Sequence, residues 1–96
     1  MTTYIMRGKY SPEAAGLISS QRTTRATEII RACGGSIAAA YATMGEADLL
    51  AIVEFPGDRE ATKASVALSS SMGIHFVTVP AIRIEEFDDL VGEVAQ

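Results

Sequence analysis

Apolar and polar residues alternate along four separate segments of the chain, and this period of two predicts β-strands. The segments are 2–10, 36–43, 48–55 and 74–82. The third segment, DLLAIVEF, is the most apolar and follows a predicted turn at 44–47. Pro80 in the fourth segment cannot donate a ladder hydrogen bond, so we expect that strand at an edge of the sheet.

Three segments carry apolar residues at helical spacing, and a fourth has the signals of a short helix. They are 21–33, 59–72 and 85–95, with the short helix starting at Pro12. Ser11 and Asp58 are predicted to cap the helices that follow them, because their side chains can accept from free backbone N–H groups. Gly34-Gly35 and Gly73 are predicted helix ends, because glycine accepts the left-handed conformation of a C-terminal cap.

The order of these elements is β-α-β-β-α-β with an additional C-terminal helix, which predicts a ferredoxin-like α+β fold. Right-handed crossovers place strands one and three in the centre, giving an antiparallel four-stranded sheet of order 4-1-3-2. A chain of 96 residues is enough for one domain, which we expect to cover 1–96.

The predicted sheet is apolar on both faces, although in this fold helices cover only one of them. In the third strand Leu49, Ala51, Val53 and Phe55 form one face, and the other face carries Leu50 and Ile52. An uncovered apolar face of several hundred Å² is more than a monomer normally exposes. We therefore predict a homodimer in which two sheets face each other as a dimeric α/β barrel. The alternative is that the C-terminal helix folds back over its own open face.

Composition restricts the cellular compartment and the kinds of binding partner that we expect. The net charge is −4 and the eight basic residues are scattered, whereas a nucleic-acid site requires a clustered basic patch. No apolar run approaches the roughly 20 residues that span a bilayer, and no signal peptide is visible. Cys33 is the only cysteine, which excludes an internal disulfide and fits a cytoplasmic protein. The expected partners are thus a second copy and a small molecule, with no nucleic acid and no membrane.

Several separated motifs resemble the GYD-domain family of short bacterial and archaeal proteins. They are TYIMRGKYSPEA at the start, Arg22 before the helix, GGSIAAAYATMG at 34–45 and DLLAIVEFP at 48–56. The resemblance implies a ferredoxin-like fold, assembly as a dimeric α/β barrel, and no assigned reaction. Gly45 and Asp48 match the motif that names the family, but Ala47 stands where the family has its tyrosine.

Arg22, Asp48, Tyr41 and Tyr4 are the candidate ligand-binding residues. A guanidinium at Arg22 could bind a carboxylate or phosphate, and Asp48 would lie at the rim of the same cleft. The alternative for Asp48 is turn chemistry, since Asp and Gly are ordinary hairpin residues. The alternatives for Arg22 are a side chain that extends to solvent and a structural bridge to Asp48 or Glu54. The tyrosines, at alternating strand positions, are either core residues or pocket lining.

The remaining candidates for a catalytic or cofactor-binding role are His75 and Cys33. His75 is the only histidine, and it could ligate haem or act as a base, but lone strand histidines are usually packed or half exposed. One His and one Cys far apart do not make a metal site, and Cys33 on an apolar stripe behaves as a small hydrophobe. No catalytic triad, phosphate loop or carboxylate pair is present. We therefore predict a self-associating protein without a cofactor, non-enzymatic or of unassigned activity, that binds a small ligand in a cleft framed by Arg22, Asp48 and Tyr41. The alternative is a cofactor-independent oxygenase or haem-handling enzyme.

Overall fold

The computed structural model describes residues 1–95 of the chain. Its elements follow the predicted order. They are β1 (Thr2–Tyr10), α1 (Pro12–Ala15), α2 (Ser20–Ala32), β2 (Ser36–Ala42), β3 (Leu49–Phe55), α3 (Asp58–Met72), β4 (Ile74–Ala81) and α4 (Ile84–Val94). Among the described residues no helix is long and apolar enough to cross a membrane.

The four strands form one antiparallel sheet of order β2-β3-β1-β4, which confirms the predicted topology. Strand β4 lies at an edge, as Pro80 predicts, and pairs only with β1 through a register that sets Tyr4 opposite Pro80. The two central strands are β1 and β3, with Tyr4 opposite Val53 and Met6 opposite Ala51.

Helices α2 and α3 lie side by side on one face of the sheet, and the core fills the space beneath them. Phe55, Met6, Leu68 and Val53 are its largest fully buried side chains. The rings of Tyr4 and Phe55 meet edge to face with centroids 5.7 Å apart, an arrangement that aromatic pairs prefer. Alanines at the inner face of α3, such as Ala61 and Ala64, are fully or almost fully buried, so this helix lies close to the strands.

The predicted helix caps agree with the structure except at the N-terminus of α3. The Ser11 side chain accepts from the backbone N–H of Ala14, and Gly73 closes α3 in the left-handed conformation with φ of 67°. The prediction that Asp58 caps α3 is wrong. Gly57 is the N-cap and Asp58 is the first helical residue, so its carboxylate is available for another partner.

Strand β2 contains an irregularity that changes which side chains share a face. Its register against β3 shifts between Ile37 and Ala39, as expected for a β-bulge. Ile37 pairs with Val53 on the helix-covered face, whereas Tyr41 pairs with Leu50 on the opposite face. Unbroken alternation along 36–43 would place Ile37 and Tyr41 on the same side, but one extra residue inverts the alternation between them.

Among the described residues, no helix covers the second face of the sheet. This face carries the apolar Ile5, Leu50, Ile52, Val77 and Val79, with Arg7 between Leu50 and Val77, and we call it the open face. Helix α4 has no buried residue and extends from the body of the domain, whose longest dimension is 53 Å. The alternative in which the C-terminal helix folds back over the open face is therefore wrong.

Candidate ligand-binding cleft

A cleft of about 350 Å³ lies between α2 and the covered face of the sheet, and we call it the α2 cleft. Its floor comes from β2 and β3, where Ala40, Ala42 and Ala51 carry short side chains. Ala26 on α2 is equally small. Because alanine fills little space, the helix and the sheet do not close on each other here. The alanine-rich sequence of β2 thus leaves room beneath α2.

The walls of the α2 cleft are mainly apolar, and most of its polar groups lie along one side of α2, with Tyr10 contributed by β1. The apolar wall residues include Ile18, Ile30, Ile37, Leu49, Leu68 and Ile74. Ser19, Arg22, Thr23 and Thr27 come from the start and the middle of the helix. An apolar cavity of this size with a few polar groups is typical of a small-molecule site.

Arg22 lines the α2 cleft and connects its two helical walls. Its Nη2 donates to the carbonyl oxygen of Met72, the last residue of α3, at 2.7 Å. The side chain is half-buried. Within residues 1–95 the one salt bridge joins Arg83 to Glu85, so the alternative of a bridge from Arg22 to Asp48 or Glu54 is wrong.

Asp48 makes backbone contacts at the end of β1. Its Oδ2 accepts from the N–H of Tyr10 at 2.9 Å, and its own N–H donates to the carbonyl oxygen of Gly8 at 2.8 Å. Its carbonyl oxygen accepts from the N–H of Thr43 at 2.8 Å, which closes the β2–β3 turn. Asp48 is not among the residues that line the α2 cleft. The carboxylate therefore joins the β2–β3 turn to the neighbouring strand β1 rather than to the backbone of its own turn.

Tyr4 lies in a second cleft, of about 390 Å³, between α3 and the β1–β4 side of the sheet. Its hydroxyl donates to Oδ1 of Asp58 at 2.5 Å. This hydrogen bond, burial, and the negative charges of Asp58 and Glu60 together raise the pKa of Tyr4 to about 12. Tyr4 and Arg22 thus line two different clefts.

A second hydroxyl pair lies along the same cleft. Ser65 donates its one hydroxyl hydrogen to the carbonyl oxygen of Ala61 at 2.9 Å. Thr78 must therefore be the donor of the 2.8 Å contact between the Thr78 and Ser65 hydroxyls. These contacts satisfy the hydroxyl groups within the fold, so the second cleft has fewer groups available for a ligand.

The other candidates are scattered. Tyr41 borders the α2 cleft on the edge strand β2, but its register places its side chain on the open face and it is 60% exposed. His75 is exposed on the open face opposite Lys9, away from both clefts. Cys33 is half-buried at the end of α2 and packs against the core. Within the described residues no group of three or more His, Cys, Asp and Glu is placed to hold a metal ion.

Sequence reasoning missed the partners of these residues. Met72 binds Arg22 through a backbone carbonyl, which has no signature in the sequence. Asp58 is separated from Tyr4 by 54 positions and was assigned to a cap instead. The signal that could have located the cleft is the run of alanines in β2. Their small side chains indicate unfilled space next to the strand, although they do not identify a particular binding residue.

The fold and its cleft define an α+β domain of the ferredoxin-like class, with one four-stranded sheet and helices on one face. The family model for the GYD domain matches residues 4–91, and the chain belongs to the GYD-domain family. No curated protein and no solved structure matches the chain significantly. The family is one without an assigned function.

Proposed function

We propose that this protein associates with a second copy of itself through the open face and holds a small ligand in the α2 cleft. The two surfaces lie on opposite sides of the same sheet. Association through one therefore leaves the other accessible. The observation that carries the proposal is the apolar character of the open face.

The register brings the apolar residues of the open face into rows across the sheet. Ile5 lies between Ile52 on β3 and Val79 on β4. Leu50 and Val77 flank Arg7 in the next row. Val77 is 57% exposed in the single chain and Val79 is 45% exposed. Contiguous exposed apolar residues of this kind mark an interaction surface.

A second copy is the occupant that fits this surface best. Two such sheets stacked face to face bury apolar rows against apolar rows, in a packing that is common for sheets. A standard interface buries about 800 Å² per partner. At about 25 cal/mol per Å² the gross gain is large, and part of it offsets the loss of translational and rotational freedom. Lys9 lies opposite His75 beyond the apolar rows and suits the polar rim of an interface. Arg7 lies within the second row, where the stem of its side chain can pack on apolar surface while its charged group reaches water.

Sedimentation velocity on a matched pair of variants tests the association. Val77→Lys places a charge within the open face, so we expect it to convert the dimer into a monomer. Val66→Lys is the control, because Val66 has a similar exposure of 61% but lies on α3, on the other side of the sheet. A wild-type chain that sediments as a monomer at micromolar concentration would contradict the proposal, and so would equal effects of the two variants.

The α2 cleft supports the ligand part of the proposal. Its volume of about 350 Å³ lies at the lower end of the range for small-molecule sites. Mainly apolar walls provide burial, and a few polar groups on α2 provide orientation. The small side chains of β2 keep this space open without a cost in buried polar groups, since no buried side-chain polar atom of residues 1–95 is without a hydrogen bond.

A further inference from the structure

We propose that the α2 cleft takes a molecule with a single carboxylate on a small apolar body, an inference that rests on the proposed function of this cleft. Of the side chains that line it in the described part of the chain, Arg22 is the one that carries a charge. The remaining lining is apolar or hydroxyl-bearing. The cleft therefore offers one positive group beside an apolar cavity.

The hydrogen-bond donors on the polar side of the cleft identify where an anion would bind. The hydroxyl of Thr23 donates to the carbonyl oxygen of Ser19 at 3.2 Å, and that of Thr27 donates to the carbonyl oxygen of Thr23 at 3.1 Å. A threonine hydroxyl has one hydrogen, so neither can also donate to a ligand. The donors that remain are on Arg22, on Ser19 and on the hydroxyl of Tyr10, and of these Arg22 carries the charge.

Arg22 is held in place without using all of its donors. Nη2 donates to the carbonyl oxygen of Met72, and the other guanidinium nitrogens remain available for a carboxylate. A planar guanidinium matches the two oxygens of a carboxylate, and such charge-assisted hydrogen bonds are among the strong ones. Fixing the side chain in advance lowers the entropy that a ligand must overcome on binding.

The charge and the volume of the α2 cleft restrict the class of ligand further. One positive group can neutralise one negative charge, and a second charge on the ligand would be left unpaired beside apolar walls. The net charge of −4 also disfavours polyvalent anions. A cavity of about 350 Å³ corresponds to roughly a dozen water molecules at ~30 Å³ each, so the apolar body is small.

The test is an NMR titration of the full chain, which follows backbone amide shifts with three probes. Octanoate has the proposed charge and body, octylamine has the same body with the opposite charge, and acetate has the charge without the body. We expect octanoate to shift the amides of residues lining the α2 cleft and to bind at least about tenfold more tightly than the other two.

Two variants test whether Arg22 is the residue that selects octanoate over octylamine. Arg22→Gln removes the charge but keeps a donor for the Met72 carbonyl, and it should weaken octanoate binding about tenfold or more. Arg25→Gln is the control, because Arg25 is exposed on the same helix and does not line the cleft. Octanoate binding should be unchanged in this control.

The outcomes distinguish the claim that the ligand is a carboxylate from the claim that the α2 cleft binds a ligand. Equal binding of octanoate and octylamine in the α2 cleft would overturn the carboxylate class and leave the cleft as a ligand site. If acetate bound as tightly as octanoate, the claim that the ligand needs an apolar body would be wrong. No cleft shifts with any probe would overturn this inference together with the ligand part of the proposed function, and sedimentation would judge self-association separately.

Discussion

The hydroxyl of Tyr4 donates a 2.5 Å hydrogen bond to Oδ1 of Asp58, joining β1 to the first turn of α3. The carboxylate lies at a helix N-terminus, where the helix dipole also favours a negative charge. Tyr4 is 2% exposed, so the pair connects the core to the surface of the second cleft.

This contact predicts an alkaline limit to stability. The pKa of Tyr4 is raised to about 12, first by the hydrogen bond to Asp58, so the folded state holds the phenolic proton more tightly than the unfolded chain. The resulting stability is fully present below the unfolded pKa of about 10 and is lost as the pH rises through the folded value. We expect unfolding monitored against pH to show this decline.

Tyr4→Phe should lower the melting temperature at neutral pH by a few degrees and flatten the alkaline decline. Tyr41→Phe is the control, because Tyr41 is 60% exposed. Equal alkaline profiles for the wild type and Tyr4→Phe would contradict the role of this hydrogen bond.

Asp48 is predicted to act through the backbone. Asp48→Ala removes the acceptor for the Tyr10 amide, and we expect the free energy of unfolding to fall by about 1–2 kcal/mol. Asp48→Asn keeps an oxygen acceptor and should cost less. Chemical denaturation measures both, with the exposed neighbour Glu46→Ala as control. If Asp48→Ala instead abolished octanoate binding without a loss of stability, Asp48 would be a site residue.

Gly35 is predicted to tolerate no side chain. A Cβ there would lie 2.6 Å from Cε1 of Phe55 and 2.7 Å from Cγ2 of Ile30, and both of these residues are buried. Gly35→Ala should therefore lower the free energy of unfolding by about 1–3 kcal/mol in chemical denaturation. Gly92→Ala is the control, because a Cβ at Gly92 meets nothing within 4 Å. Equal stability of the two variants would show that Phe55 and Ile30 rearrange to accommodate a methyl group at position 35.

The order and the type of the elements could be predicted because their signals are local. Alternation, the Ser11 cap and the Gly73 helix end are each set by residues close in sequence. Pro80 also located an edge strand correctly, since the missing N–H acts wherever proline lies in a sheet.

The errors have a different physical origin. The bulge in β2 falls among alanines, whose equal size gives no contrast between the faces, so the alternation appeared unbroken up to Tyr41. Arg22 and Asp58 bind partners that are 50 and 54 positions away. Such contacts follow from how the helices are placed on the sheet, and propensity does not determine them.

The exposure of α4 also has a consequence for how the chain loses its structure. An isolated helix shorter than about 12–15 residues is marginal in water, and α4 has 11 residues with none of them buried. Heating the uncomplexed chain should therefore melt this segment early, while the sheet persists. The loss of helical circular dichroism would then begin before the aromatic signal of the core changes, and a single melting temperature would not describe the whole chain.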